Sequence, residues 1–317
     1  MLKERSKRSI TLAQNELLTI SLESQKGRQA LKHYAINWDD VAHPGILSLS
    51  CEAVGGKPYD ATQMQVILLL LTAAIDIFDD IIDQTRVKNG KPTVLGAFGK
   101  DVSVLIGNAI LMRGFFLLCE YCKSLPHKIS SSLISTIQST FFEVGDAHLL
   151  ETEIKKKLDI TPSKYLHIIE KKASNIEAIT RVGAIIGKAS QEQLGILGEY
   201  GRILGTLITL REEFIDIFEP EELINRSNNE CLPLPILYAF QDSQTKKKIL
   251  KILLGKRLSP RGTNEIVDIV FKSKDVAKLR AYMKELSQKA SLLLSELPQK
   301  HLIPLLELII YSTLEDL

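Results

Sequence analysis

Very little in this chain points to an oxidising compartment, a nucleic acid or a lipid surface. It carries one tryptophan and only four cysteines, Cys51, Cys119, Cys122 and Cys231, in 317 residues. Thiols so few and so spread make no disulfide framework. Cys119 and Cys122 form a C-x-x-C, but with no second pair and no nearby histidine. At i, i+3 inside "FFLLCEYCKSL" they read as two small core residues rather than zinc ligands. Neither charge is in excess: 40 Lys and Arg stand against 38 Asp and Glu, a net +2. The short basic runs at 155–157 and 246–248 read as solvated helix faces, so neither nucleic acid nor anionic membrane is expected as a partner. The uncharged run around 66–75 falls short of the about 20 residues that a transmembrane helix needs. The opening "MLKERSKRSITLAQNELLTI" lacks the continuous apolar core of a signal peptide. A cytoplasmic chain with no transmembrane segment is the expectation.

Alternating strand patterns are missing as well, and "VKNGKP" at 87–92 reads as a loop between helices. Apolar residues instead recur three and four apart nearly everywhere, as in "YLHIIEKKASNIEAITRVGAIIGKA" and "EQLGILGEYGRILGTLITLREEFIDIF". Breaks at 42–45, 54–60, 123–128, 159–164, 231–235 and 258–262 cut the chain into roughly ten to thirteen helices. No long Gly, Ser or Pro linker separates two domains. The fold class expected is all-α, one large helical bundle over 1–317, with 1–40 as an N-terminal helical segment packed on it.

Against that apolar background, "AAIDIFDDIIDQ" at 73–84 is out of place. It sets Asp76, Asp79, Asp80 and Asp83 on one side of a helix that begins with an uncharged run. Carboxylates among apolar residues are costly to desolvate unless something positive neutralises them. An exposed acidic helix end is the plain alternative, which the preceding uncharged residues oppose. Mg²⁺ answers the need: it takes hard oxygen ligands, often one or two carboxylates plus substrate phosphates. A second turn of the same design, Glu212, Glu213 and Asp216 in "LITLREEFIDIFEPEEL", follows about 130 residues later, again ending an apolar helix. Two such ends facing each other across the mouth of a bundle could clamp an oligophosphate through metal ions above a greasy pocket. That combination suits a prenyl diphosphate.

The residues from about 45 to 317 resemble the trans-type isoprenyl diphosphate synthases, or polyprenyl synthetases. "DIFDDIIDQTRVKNGKPTVLGAFGKDVSVLIGNAIL" is similar to the family's first aspartate-rich motif and the basic loop after it. "IEKKASNIEAITRVGAIIG" is similar to its Lys-Thr helix, "YGRILGTLITLREEFIDIF" to its second aspartate-rich motif, and the last 28 residues to its closing helices. The resemblance implies a class I isoprenoid synthase bundle, usually a homodimer, with a heteromer as the other option, holding three Mg²⁺ ions. It implies ionisation of an allylic prenyl diphosphate and attack by isopentenyl diphosphate. Carried over by position, Asp79, Asp80 and Asp83 bind metal in the first motif, and Glu212, Glu213 and Asp216 in the second. Asp79, Asp80 and Lys171 take catalytic positions; Lys171 also binds diphosphate. Lys57, in "GGKPYD", and Lys88, before the loop glycine Gly90, take the isopentenyl diphosphate and basic-loop positions. Small Ala74, with Ile75, lies where bulky aromatics stop chain growth in the family, which leans the product to geranylgeranyl or longer.

The departures gather on one substrate. The two arginines that follow the family's Gly-Gly-Lys are absent, and the second basic-loop position is Asn89, with Arg86 as a nearby partial substitute. Thr209 replaces a glutamine, the second motif has Glu-Glu for Asp-Asp, and a lysine expected after it is missing, although Arg226 is close. An arginine fork grips phosphate bidentately; asparagine does not. Three readings follow: a chain-elongating synthase with altered acceptor contacts; a terpene synthase or a prenyltransferase with a different acceptor; or a regulatory subunit of a heteromeric synthase.

Overall fold

The computed structural model describes residues 1–317 apart from 39, 89, 254, 256–258 and 316–317. Asn89, singled out above, lies outside the described residues. The helices in chain order are α1 (Leu2–Thr19), α2 (Gln25–Asn37), α3 (Ala42–Ala53), α4 (Thr62–Asp83), α5 (Val94–Phe98), α6 (Lys100–Lys123), α7 (His127–Ile154) and α8 (Pro162–Lys172). They continue as α9 (Ser174–Ile186), α10 (Gln191–Ile215), α11 (Pro220–Asn229), α12 (Leu234–Ala239), α13 (Ser243–Leu253), α14 (Pro260–Lys272), α15 (Lys274–Leu294) and α16 (Ile303–Ser312).

Sixteen α-helices among the described residues exceed the ten to thirteen expected, because periodicity does not register single-residue breaks. The stretch "YLHIIEKKASNIEAITRVGAIIGKA" divides between α8 and α9 at Ala173, and α14 ends at Ser273, whose extended backbone (ψ 132) precedes α15. The strand-free expectation also needs correction. "VKNGKP" closes a minimal antiparallel pair, β1 (Val87–Lys88) with β2 (Lys91–Pro92), in register Val87 to Pro92 and Lys88 to Lys91. Asn-Gly is the strongest short hairpin signal; two-residue strands are too short to show the alternation that would expose it. Cys119 is exposed and Cys122 half-buried, so that pair is not core as expected; Cys51 and Cys231 are buried, and all four are free thiols.

The chain falls into two compact units. The first comprises residues 1–136 and 179–194, the second residues 137–178 and 195–317. In the first, α4 is the central helix. From Met64 to Leu71 it is buried without interruption, as are Ala73, Ala74, Ile77, Asp80 and Ile81; a helix apolar all round belongs inside. With Leu17, Ala30, Leu31, Ile106 and Ile110 it makes one cluster. It packs closely on α6, where Leu71 and Phe78 reach the positions left open by Gly114 and Gly107. By length and composition alone α6 is long and apolar enough to cross a membrane, a test that the core helix of a soluble protein also passes, and a third of its apolar window is buried. Arg113, in its middle, pairs with Glu16 of α1 at 2.6 Å.

In the second unit Tyr200 and Phe214 of α10 are fully buried. Tyr200 donates its hydroxyl to Leu306 O at 3.0 Å, and Phe214 meets Phe271 edge-on at 5.8 Å. Gly205 lets α10 pass the end of α8: a Cβ there would lie 2.9 Å from Ala173 O.

Candidate active site

The first acidic turn closes α4. Gln84 takes the left-handed conformation (φ 60) just past the helix end, an end common for helices though more often built on glycine. Thr85 N–H returns to Asp80 O at 2.9 Å, and the chain then folds back as the β1–β2 hairpin. Thr93 locks the hairpin by three bonds: its N–H to Arg86 O (3.0 Å), its hydroxyl to Thr85 O (2.8 Å), and its Oγ1 accepting from Gly96 N–H at the start of α5 (3.0 Å). Gly96 has no substitute here, since a Cβ would lie 2.0 Å from Arg86 O. This closure lays Lys88 over the turn, its Nζ 2.6 Å from Asp76 Oδ1 and 3.7 Å from Asp80 Oδ1.

Asp80 is buried, whereas Asp76, Asp79 and Asp83 are partly open. Burial pushes the Asp80 carboxyl up to about 7; Lys88 opposes the rise, and Asp76 and Asp79 add to it. Beside the turn lies a cavity of about 290 Å³ lined by Asp76, Asp80, Lys88 and, from α2 and the residue just after it, His33, Tyr34, Asn37 and Trp38. Tyr34 and Trp38 rings stand 5.5 Å apart, and His33 Nε2 donates to Pro92 O at 2.8 Å. Burial first, then the Asp76, Asp40 and Asp80 charges, hold the Tyr34 phenol well above its usual range. The sequence does not single these residues out as site residues. They recur at i, i+1, i+4 and i+5 along α2 and the residue that follows it, but nothing in that spacing separates a cavity wall from packing.

The other first-unit positions are apart from this cavity lining. Lys57 is exposed, its Nζ 5.6 Å above the Tyr59 ring. The Arg86 side chain is exposed. Ala74 is fully buried within the α4 cluster and Ile75 half-buried; neither lines the cavity.

The second acidic turn, in the second unit, is arranged differently. Glu212 is exposed, Glu213 buried and Asp216 half-buried. Arg226 of α11, itself only 6% exposed, donates Nη1 to Asp216 Oδ2 at 2.5 Å and Nη2 to Glu213 Oε1 at 2.8 Å. The same guanidinium reaches Tyr165 Oη (2.8 Å) and Cys231 O (2.8 Å), and Glu230 lies 3.3 Å from its Nε. Glu213 also accepts from Tyr165 Oη (3.1 Å) and from Leu234 N–H (2.6 Å). Burial lifts Asp216 to about 7, Arg226 working against it and Glu213 with it. The network runs on through Tyr165 to Glu151 (3.3 Å), which Lys172 holds at 2.5 Å. Lys171, placed among the diphosphate binders by resemblance, pairs with exposed Asp146 at 2.9 Å.

Among the described residues no three His, Cys, Asp or Glu side chains already converge as a metal cage. Mg²⁺ needs none, because it keeps several waters and takes one or two carboxylates with substrate phosphates. The α4 turn fits that demand: it gathers several carboxylates, one of them buried, and the lysine on Asp76 and Asp80 is half-exposed. The second turn fits poorly, since both oxygens of Glu213 and one of Asp216 already accept from protein donors.

Residues 41–270 match the polyprenyl synthetase family model. The short chain isoprenyl diphosphate synthase of Methanothermobacter thermautotrophicus is 26% identical over 199 residues, 62% of this chain and 60% of that protein. The geranylgeranyl diphosphate synthase of Methanosarcina mazei is 28% identical over 184 residues, 58% of this chain and 56% of that one. The chain thus spans less than two thirds of the length of these curated relatives. The geranylgeranyl pyrophosphate synthetase of Pyrococcus horikoshii has the same fold, with a TM-score of 0.85 at 23% identity, over 99% of this chain and 98% of that one. The family match takes in both acidic turns, the hairpin lysine and Lys171, and the all-α class I architecture agrees with it: the chain belongs to the polyprenyl synthetase family.

Proposed function

We propose that this chain is a Mg²⁺-dependent prenyltransferase that ionises an allylic prenyl diphosphate and joins it to isopentenyl diphosphate, giving geranylgeranyl diphosphate or a longer product. The observation that carries this reading is the α4 turn with Lys88 laid across it, beside a partly aromatic cavity. Bound Mg²⁺ would neutralise the diphosphate as it leaves. Asp79, Asp80 and Asp83 would hold that ion. Lys88 and Lys171, each in a half-open ion pair, would exchange a carboxylate for phosphate oxygen. Lys57 would meet the acceptor as a point charge. The relatives' names, isoprenyl and geranylgeranyl diphosphate synthases, support this chemistry.

A homodimer is part of the proposal. On α6, Leu105, Met112 and Phe116 are exposed at 68%, 65% and 54%, and their spacing of seven and four puts them on one stripe. Apolar stripes of this kind mark helix–helix interfaces. The four free thiols support a reducing, cytoplasmic setting.

One observation favours a second reading, a regulatory subunit of a heteromeric synthase: two carboxylates of the second turn are engaged by Arg226. The purified chain should be assayed with Mg²⁺ and an allylic diphosphate, with and without isopentenyl diphosphate. An elongated product that needs both supports the proposal. A hydrocarbon or alcohol formed without isopentenyl diphosphate moves the chain to the terpene synthases. No turnover from the chain alone, restored by a second subunit, favours the regulatory role.

A further inference from the structure

Arg226 is built into the second acidic turn. Its side chain is almost wholly buried and its donors go to five named partners: Asp216, Glu213, Tyr165, Cys231 O and, at 3.3 Å, Glu230. A surface lysine can swing from a carboxylate to a phosphate; a buried planar guanidinium bound on several sides has nowhere to go. A metal entering between Glu213 and Asp216 would compete with it for both carboxylates and leave a buried cation with Glu230 as its one remaining anionic partner of the three named, a heavy desolvation penalty. Glu213 has little left to offer: Oε1 accepts from Arg226 and Tyr165, and Oε2 accepts the backbone N–H of Leu234. Glu212, the remaining acidic residue of the turn, is exposed.

We propose that Arg226 is the resident counterion of the second acidic turn, occupying Glu213 and Asp216 so that this turn takes up no divalent cation, and that metal binding is confined to Asp79, Asp80 and Asp83 on α4. The expectation of three ions then does not apply to this chain. The inference rests on the reading of α4 as the metal-binding turn, and the following test separates the two.

Mn²⁺ binding to the full chain is counted by electron paramagnetic resonance in the presence of inorganic diphosphate, for the wild type, Asp216→Asn and Arg226→Gln. The expected result is the same number of Mn²⁺ ions on Asp216→Asn as on the wild type, and at least one more on Arg226→Gln. Loss of an ion from Asp216→Asn overturns the inference, as does a folded Arg226→Gln chain that gains none. Should Arg226→Gln not fold, the wild type and Asp216→Asn decide alone. A wild type that binds no Mn²⁺ while Arg226→Gln binds one upholds the counterion and sinks the assignment of α4 instead.

Discussion

Lys88 Nζ lies 2.6 Å from Asp76 Oδ1, which ties the β1–β2 hairpin to the acidic turn that ends α4. Both side chains are about half exposed, 51% and 42%. An ion pair that open contributes between about 0 and 1 kcal/mol to stability. Replacing Lys88 with Gln should leave the urea midpoint almost unchanged. It should weaken allylic diphosphate binding by roughly tenfold or more, since a hydrogen bond to a charged group is worth about 1.5–3 kcal/mol. A KM measured alongside the unfolding curve checks both halves, and a fallen midpoint with an unaltered KM would contradict the role.

Asp79 and Asp80 should both matter to turnover. A metal ion supplies several kcal/mol of charge stabilisation, and each 1.4 kcal/mol is tenfold in rate. Asp79→Ala and Asp80→Ala should each lower turnover of an allylic diphosphate with Mg²⁺ by about a hundredfold or more. Unchanged turnover in either variant rules out the α4 turn as the metal-binding centre.

The buried carboxyl of Asp80 gives a pH signature. Its folded pKa of about 7 lies above the roughly 3.9 of an unfolded aspartate. The native state therefore binds more protons across that interval, so this group's contribution is fully present below about pH 4 and is lost as pH rises through 7. Wild-type Tm relative to Asp80→Asn should fall as pH rises across that window; a difference that stays flat, or climbs, refutes the shift.

Arg226 is a stability element whichever way metal binding turns out. Removing one member of a buried ion pair costs about 3–5 kcal/mol, because its partners are left desolvated. Arg226→Met should show that loss in denaturant unfolding, and Glu213→Gln a smaller one, with the backbone contact of Leu234 retained by the amide oxygen. A loss under about 1 kcal/mol for Arg226→Met would mean the guanidinium is not held as described.

Gly96→Ala tests the hairpin closure itself. A Cβ 2.0 Å from Arg86 O cannot be accommodated by a side-chain rotation, since the obstacle is backbone. The turn after α4 must shift, carrying Lys88 with it, so KM should rise as in Lys88→Gln while stability also drops by about 1–3 kcal/mol.

How much of this could be read from the sequence depends on how local each signal is. The acidic turn of α4 is legible as an anomaly, because four aspartates in an apolar helix call for either exposure or charge neutralisation, and the structure buries only Asp80. The hairpin was not, because Val87–Lys88 and Lys91–Pro92 are too short to alternate. The α2 wall of the cavity was hidden for a related reason: His33, Tyr34, Asn37 and Trp38 look like any mixed helix face until α4 lies beside them. Arg226 was noticed as nearby charge, but its burial depends on where α11 places it. The exposed Cys119 went the other way, since its apolar neighbours suggested a core that α6 does not bury at that point.

Lys88 also has a bearing on how ligands would arrive at the proposed site. While it rests on Asp76, one of the four carboxylates already has a cation beside it. A diphosphate arriving with its own metal ion would offer the lysine a second anion in exchange for the first, so that on this reading the resting contact would favour the paired ligand over the bare ion.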